Sequence, residues 1–145
     1  MREILFRGKR RDNGEWVEGG YIPLDVESGY AYIVKPYHYA SSLSPLDIIK
    51  LQSILVLPET VGQYTGLTDK NGKKIFEGDM ISTDIARPYL IVEFRDGCFM
   101  FNCNDGGDDY YDIMFPILKE AHSQYVYGEV IGNIHDNPEL LKGGE

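Results

Sequence analysis

Residues 64–81 read YTGLTDKNGKKIFEGDMI, a turn set among alternating apolar residues and followed by a Glu-Gly-Asp step into an apolar run. Asn71-Gly72 signals a tight turn, with Asp69 and Lys70 ahead of it and two lysines behind. Gly78, between Glu77 and Asp79, permits a sharp bend or a bulge, because glycine adopts backbone angles closed to other residues. Met80 and Ile81 then begin a strand. The stretch predicts a hairpin that delivers a strand into a β-rich core. Gly66, Asp69, Asn71, Gly72, Glu77, Gly78 and Asp79 are read as the structural motif that shapes it.

Similar signals extend in both directions. Upstream, EILFRGK (3–9) and EWVEGGYI (15–22) flank Asn13-Gly14, a two-residue hairpin signal that predicts a type I′ turn with positive φ at both positions. Residues 3–8 are expected to pair with 15–22. YAYIVKP (30–36) and SILVLP (53–58) read as third and fourth strands. SSLSPLDIIK (41–50), between them, opens a short helix capped by Ser44 with Pro45 at its first position.

Downstream, YLIVEFRDGCFMFNC (89–103) reads as two strands joined at Asp96-Gly97, with Leu90, Val92 and Phe94 on one face. DDYYDIMF (108–115) and YVYGEVIGNI (125–134) supply two more. DNPELLKGGE (136–145) reads as one helical turn with Asn137 as cap. The expectation is an all-β protein with one or two short helices. It comprises an N-terminal β subdomain over 1–58 and a C-terminal SH3-like barrel over 59–145.

Composition agrees with that class. The 145 residues are 43% apolar and 26% charged, with 11 Tyr and 16 Gly, suiting half-buried pleated surfaces and turns. A protein this long buries roughly 68–70% of its unfolded surface, so it folds without a metal or disulfide. Cys98 and Cys103 lie five apart, on opposite faces of an extended strand, and are poorly placed to bridge or to share a metal. No apolar signal segment opens the sequence and no 18-residue apolar stretch occurs, so a soluble, cytoplasmic protein without a membrane partner is expected.

Net charge is −9, unevenly distributed. The first eleven residues carry five cations against Glu3, leaving −13 on the remainder. An acidic body repels phosphate backbone. Arg7, Lys9, Arg10 and Arg11 are nonetheless the candidate nucleic-acid contact, the simpler reading being a solvated strand edge. A body this acidic can also imitate DNA before a host protein.

TVGQYTGLTDKNGKKIFEGDMI (60–81) and VIGNIHDNPELL (130–141) carry a family resemblance. Together with the opening RGKRRDNGEWVEGGY (7–21), they resemble the YopX family of phage and prophage proteins. The resemblance implies a β-rich intracellular protein of bacterial viruses or their integrated remnants. It brings no activity, cofactor or catalytic residue to carry over.

The residues themselves supply few candidates for chemistry. Glu77 and Asp79, two apart in an extended strand, share a face as an acid/base or metal pair would. The competing reading makes Asp79 an acceptor of backbone N–H groups across a turn. Asp105, Asp108, Asp109 and Asp112, in NDGGDDYYD, are the candidate metal site, though their spacing departs from an EF-hand loop. A divergent metal-dependent enzyme would combine Asp79 with this run. His38, His122 and His135 lie far apart, and no G-x-S-x-G, C-x-x-C or phosphate-cradling loop occurs. Tyr30 and Tyr32 share a strand face that either covers the core or meets another subunit. The expected function is non-enzymatic and cofactor-free: a phage or prophage accessory protein that binds itself and a host or phage protein.

Overall fold

A computed structural model of the protein describes residues 3–35, 44–82, 89–102, 111–113 and 128–142. The molecule divides into two compact units, Met1–Gln63 and Tyr64–Glu145. Both are built mainly from antiparallel strands, as expected of an all-β protein.

The N-terminal unit contains β1 (Phe6–Lys9), β2 (Trp16–Asp25), β3 (Tyr30–Val34), α1 (Pro45–Gln52) and β4 (Ser53–Val56). The strands neighbour one another in sequence order, β1 beside β2, β2 beside β3, β3 beside β4. Residues 6–9 pair with 16–19, within the predicted hairpin. Its turn differs from expectation. Only Gly14 has positive φ (74°), and its N–H donates to the Arg10 carbonyl at 3.0 Å, closing a longer loop than a type I′ turn. Asn13 uses its side chain instead, accepting the Glu15 N–H at 2.9 Å.

Helix α1 begins as its sequence dictates. The Ser44 Oγ accepts the Asp47 N–H at 3.2 Å, with Pro45 in the first turn, where its missing N–H has no partner to lose. The backbone then returns through β4 toward the end of β1. Arg11 N–H donates to Leu55 C=O, Leu57 N–H donates to Lys9 C=O, and Arg10 bridges Val56. That segment covers an edge that would otherwise expose unpaired backbone. Val17, Ala31, Ile33 and Val56 form the buried centre, with Phe6 and Tyr21 packed against them at 5.3 Å between rings. Gly19 is required on this face, because a Cβ there would collide with the Val34 carbonyl.

Strand β5 (Gly62–Thr68) pairs Gly62 and Gln63 with β1, then continues into the C-terminal unit. There it pairs with β6 (Lys74–Phe76), and a register shift falls between Tyr64 and Thr68, around Gly66 at φ 86°. The unit continues with β7 (Asp79–Ser82), β8 (Leu90–Arg95), β9 (Cys98–Asn102), β10 (Tyr111–Ile113) and β11 (Glu129–Asn133). The last five form an antiparallel sheet in the order β10-β9-β8-β7-β11. Asp96 (φ 52°) and Gly97 (φ 82°) both adopt left-handed angles, giving the predicted two-residue hairpin between β8 and β9. The predicted terminal helical turn forms as a 3-10 helix over Pro138–Lys142.

Ile75, Ile81, Leu90, Val92 and Phe101 make this unit's core. Full burial of side chains of this size stabilises by roughly 1.5–3 kcal/mol each. Phe94 continues their alternation but lies 52% exposed, so the core face of β8 ends at Val92. Phe94 packs edge-on against its cross-strand partner Phe99, at 5.1 Å. The expected closure into an SH3-like barrel is not found: among the described residues, β10 and β11 end the sheet and no ladder joins them.

Candidate functional site

The 64–81 motif forms a set of backbone anchors within the C-terminal unit. Asp69, only 1% exposed, starts the turn. Its Oδ1 accepts the N–H groups of Asn71 (2.8 Å) and Lys73 (2.9 Å), while Gly72 N–H donates to its carbonyl. Its Oδ2 accepts the Val130 N–H at 3.0 Å, reaching strand β11. Lys70 N–H donates to the Gly128 carbonyl alongside, so the turn rests on the start of β11. Gly72, at φ 81°, completes the tight turn expected at Asn71-Gly72.

Glu77-Gly78-Asp79 is the second anchor. Asp79, likewise 1% exposed, accepts the Phe76 N–H at 2.7 Å across the bend. Gly78 at φ 91° donates to the Val92 carbonyl and accepts from the Ile134 N–H. The bend therefore connects with β8 on one side and the end of β11 on the other. The backbone-acceptor reading of Asp79 describes its geometry. Glu77 is half-buried.

Beyond β11, Asn133 Oδ1 accepts the N–H groups of His135 and Asp136, and Asn137 Oδ1 accepts the Asn133 N–H. These short polar side chains hold a turn that leads into the Pro138–Lys142 segment. Sequence reasoning reached Asn137 only as a helix cap. The Asn-x-x-Asp-Asn spacing is the signal that marks the larger network.

The four basic candidates lie in the N-terminal unit and each has a local partner. Arg7, 8% exposed, places its guanidinium 4.6 Å from the Trp16 ring centroid, and the Lys9 ammonium lies 5.7 Å from that centroid. Arg10 forks onto Asp12 at 2.7 and 2.9 Å. That hydrogen bond holds the Asp12 carboxyl below its ordinary value and lifts the Arg10 guanidinium above its own. Arg11 donates to the Gly29 carbonyl at 2.9 Å. Arg11 thereby reaches the turn between β2 and β3, while Arg10 stays within its own turn.

Asp105, Asp108 and Asp109 lie outside the described residues, as do His38, His122 and Cys103. Asp112 falls in β10, paired with Phe101. Among the described residues, no three His, Cys, Asp or Glu side chains are placed to hold a metal ion, and no helix is long and apolar enough to cross a membrane. On β3, Ala31 and Ile33 are fully buried, whereas Tyr30 is 49% exposed. Tyr30 and Tyr32 thus lie on the face opposite Ala31 and Ile33, with Tyr30 exposed and Tyr32 half-buried.

The protein is thus of a mainly antiparallel β class, with a buried-aspartate turn and a Glu-Gly-Asp bend in its second unit. The YopX family, described as YopX protein, matches residues 5–142, and the chain belongs to it. No curated protein matches the sequence. Among solved structures, protein EF1440 from Enterococcus faecalis is 24% identical over 97% of this chain and 99% of that one, with a TM-score of 0.47.

Proposed function

We propose that the protein is a non-enzymatic phage or prophage accessory protein of the bacterial cytoplasm that works by binding, including binding to itself. The observation that carries this reading is the surface of the N-terminal unit. It exposes Ile4, Leu24, Val26, Tyr30, Leu46 and Ile49, each at least 40% accessible. Over residues 1–63 the sequence holds seven cations and eight anions, so the unit is nearly neutral. Residues 64–145 hold seven cations and fifteen anions, a charge of −8. Copies of a protein charged this way approach more easily through the neutral unit, where exposed apolar area also rewards contact.

Sedimentation at micromolar concentration tests this directly. The expected result is a species heavier than one protomer, shifted toward monomer by Leu24→Ser with Tyr30→Ser. A strict monomer across that range removes self-association from the proposal.

A second reading rests on the −8 charge of the C-terminal unit. It makes that unit an imitation of nucleic acid, aimed at a basic host protein. Pull-down from a bacterial lysate at low salt, with recovery lost as salt rises, supports it. Recovery that does not respond to salt removes it.

A further inference from the structure

The sequence holds two Asn-Gly pairs, Asn13-Gly14 and Asn71-Gly72. In such a pair the glycine nitrogen can attack the asparagine Cγ. A bond forms between that nitrogen and Cγ, the Cγ–Nδ2 bond of the amide breaks, ammonia leaves with the displaced proton, and a cyclic succinimide remains. Water then opens either carbonyl, giving aspartate or isoaspartate, the latter with one additional carbon in the main chain. Attack requires the asparagine amide to rotate over the glycine nitrogen, so a hydrogen bond that pins the amide opposes it.

The two pairs differ in that restraint. Both glycine N–H groups close turns at 3.0 Å, Gly14 onto Arg10 and Gly72 onto Asp69. Asn13 has a second restraint, because its Oδ1 accepts the Glu15 N–H at 2.9 Å. The Asn71 amide has no hydrogen-bond partner among the described residues; only its backbone N–H is held, by Asp69 Oδ1. Residues 13 and 71 are both exposed and a Cβ on Gly14 or on Gly72 meets nothing within 4 Å, so both tips are open to water and the held Asn13 amide is what separates them.

We propose that Asn71 is a spontaneous deamidation site and that isoaspartate there releases the grip of Asp69 on β11. Asp69 Oδ1 binds N–H groups on both sides of the Asn71–Gly72 peptide, at residues 71 and 73. One added backbone atom between them moves the two donors out of register. The buried carboxylate loses its seat, and its bond to the Val130 N–H loosens with it.

Ageing the full-length protein in mildly alkaline buffer, followed by peptide mapping, tests the first clause, with the same protein unfolded in urea as reference. Unfolded, the two pairs react at similar rates. In the folded protein, Asn71 is expected to outpace Asn13 severalfold. Equal rates, the reverse order, or no reaction at Asn71 while the unfolded protein reacts, would overturn it. Amide hydrogen exchange at Val130 tests the second clause. Exchange should quicken in the aged protein and stay slow in an aged Asn71→Gln variant. Equal protection in the two overturns the release.

Discussion

Asp69 and Val130 stand 61 residues apart in the sequence and are joined by a 3.0 Å hydrogen bond from the Val130 backbone N–H to the Asp69 carboxylate. The same side chain holds its own turn through Asn71 and Lys73. One aspartate thus sets a local conformation and a long-range contact together, at 1% exposure. Removing it leaves three backbone donors without their acceptor, and unpaired buried groups are more damaging than missing exposed ones.

Asp69→Ala is therefore expected to destabilise the C-terminal unit by about 2–4 kcal/mol. Asp69→Asn keeps one acceptor oxygen and brings an NH2 group toward donors, so it should fall between wild type and alanine. Urea unfolding followed by far-ultraviolet circular dichroism measures both. A wild-type midpoint for the alanine variant would show that the buried carboxylate does not hold the turn.

Gly78 supports a prediction of a different origin. Its φ of 91° is a left-handed angle that favours glycine, while an added Cβ would sit at an ordinary 3.5 Å from Ile134. The loss in Gly78→Ala is thus conformational, about 1–2 kcal/mol, with no steric addition. Gly78→Asn should lose less, because asparagine tolerates left-handed angles. Equal losses in the two variants would point to packing instead.

How much of this was legible in the sequence depended on distance along it. The Ser44 cap, the Asp96-Gly97 hairpin and the Gly78 bend each act within four residues, and local chemistry specified them. The Asp69–Val130 contact was not legible, since nothing at position 69 names a partner 61 residues on. Asn13-Gly14 misled for a subtler reason, whereas Asn71-Gly72 makes the tight turn expected of it. Asn13 can take positive φ, but the Arg10 carbonyl closes a longer turn on the Gly14 N–H that needs positive φ only at the glycine. Phe94 followed the strand alternation correctly. Periodicity identified its face but not where cover on that face stops. The partners of the basic row, the Gly29 carbonyl for Arg11 and the Trp16 ring for Arg7, could not be placed without the fold.

Trp16, the protein's one tryptophan, makes that row observable. Its ring lies beside the Arg7 guanidinium at 4.6 Å and the Lys9 ammonium at 5.7 Å. Arg7→Ala should red-shift the emission as water reaches the indole, and destabilise the N-terminal unit by about 1 kcal/mol or more. Lys9→Ala should do less, its charge standing farther off. Unchanged emission in Arg7→Ala would mean that the guanidinium does not shield the ring.

Tyr89 gives the pH dependence its sign. It lies at the entry to β8, its hydroxyl donates to the Leu140 carbonyl, and burial raises its pKa above the ordinary 10.0. The folded protein therefore favours the neutral phenol more than the unfolded state does. Below pH 10 both states carry the proton and the contribution is complete. As pH rises from 10 toward the raised folded value, only the unfolded state releases it, so stability falls across that window. Comparison with Tyr89→Phe isolates this group. That variant lacks both the ionisable group and the bond to Leu140, so it should unfold more easily at neutral pH yet lose less on crossing pH 10. Urea midpoints that fall in parallel for the two proteins would place the alkaline sensitivity elsewhere.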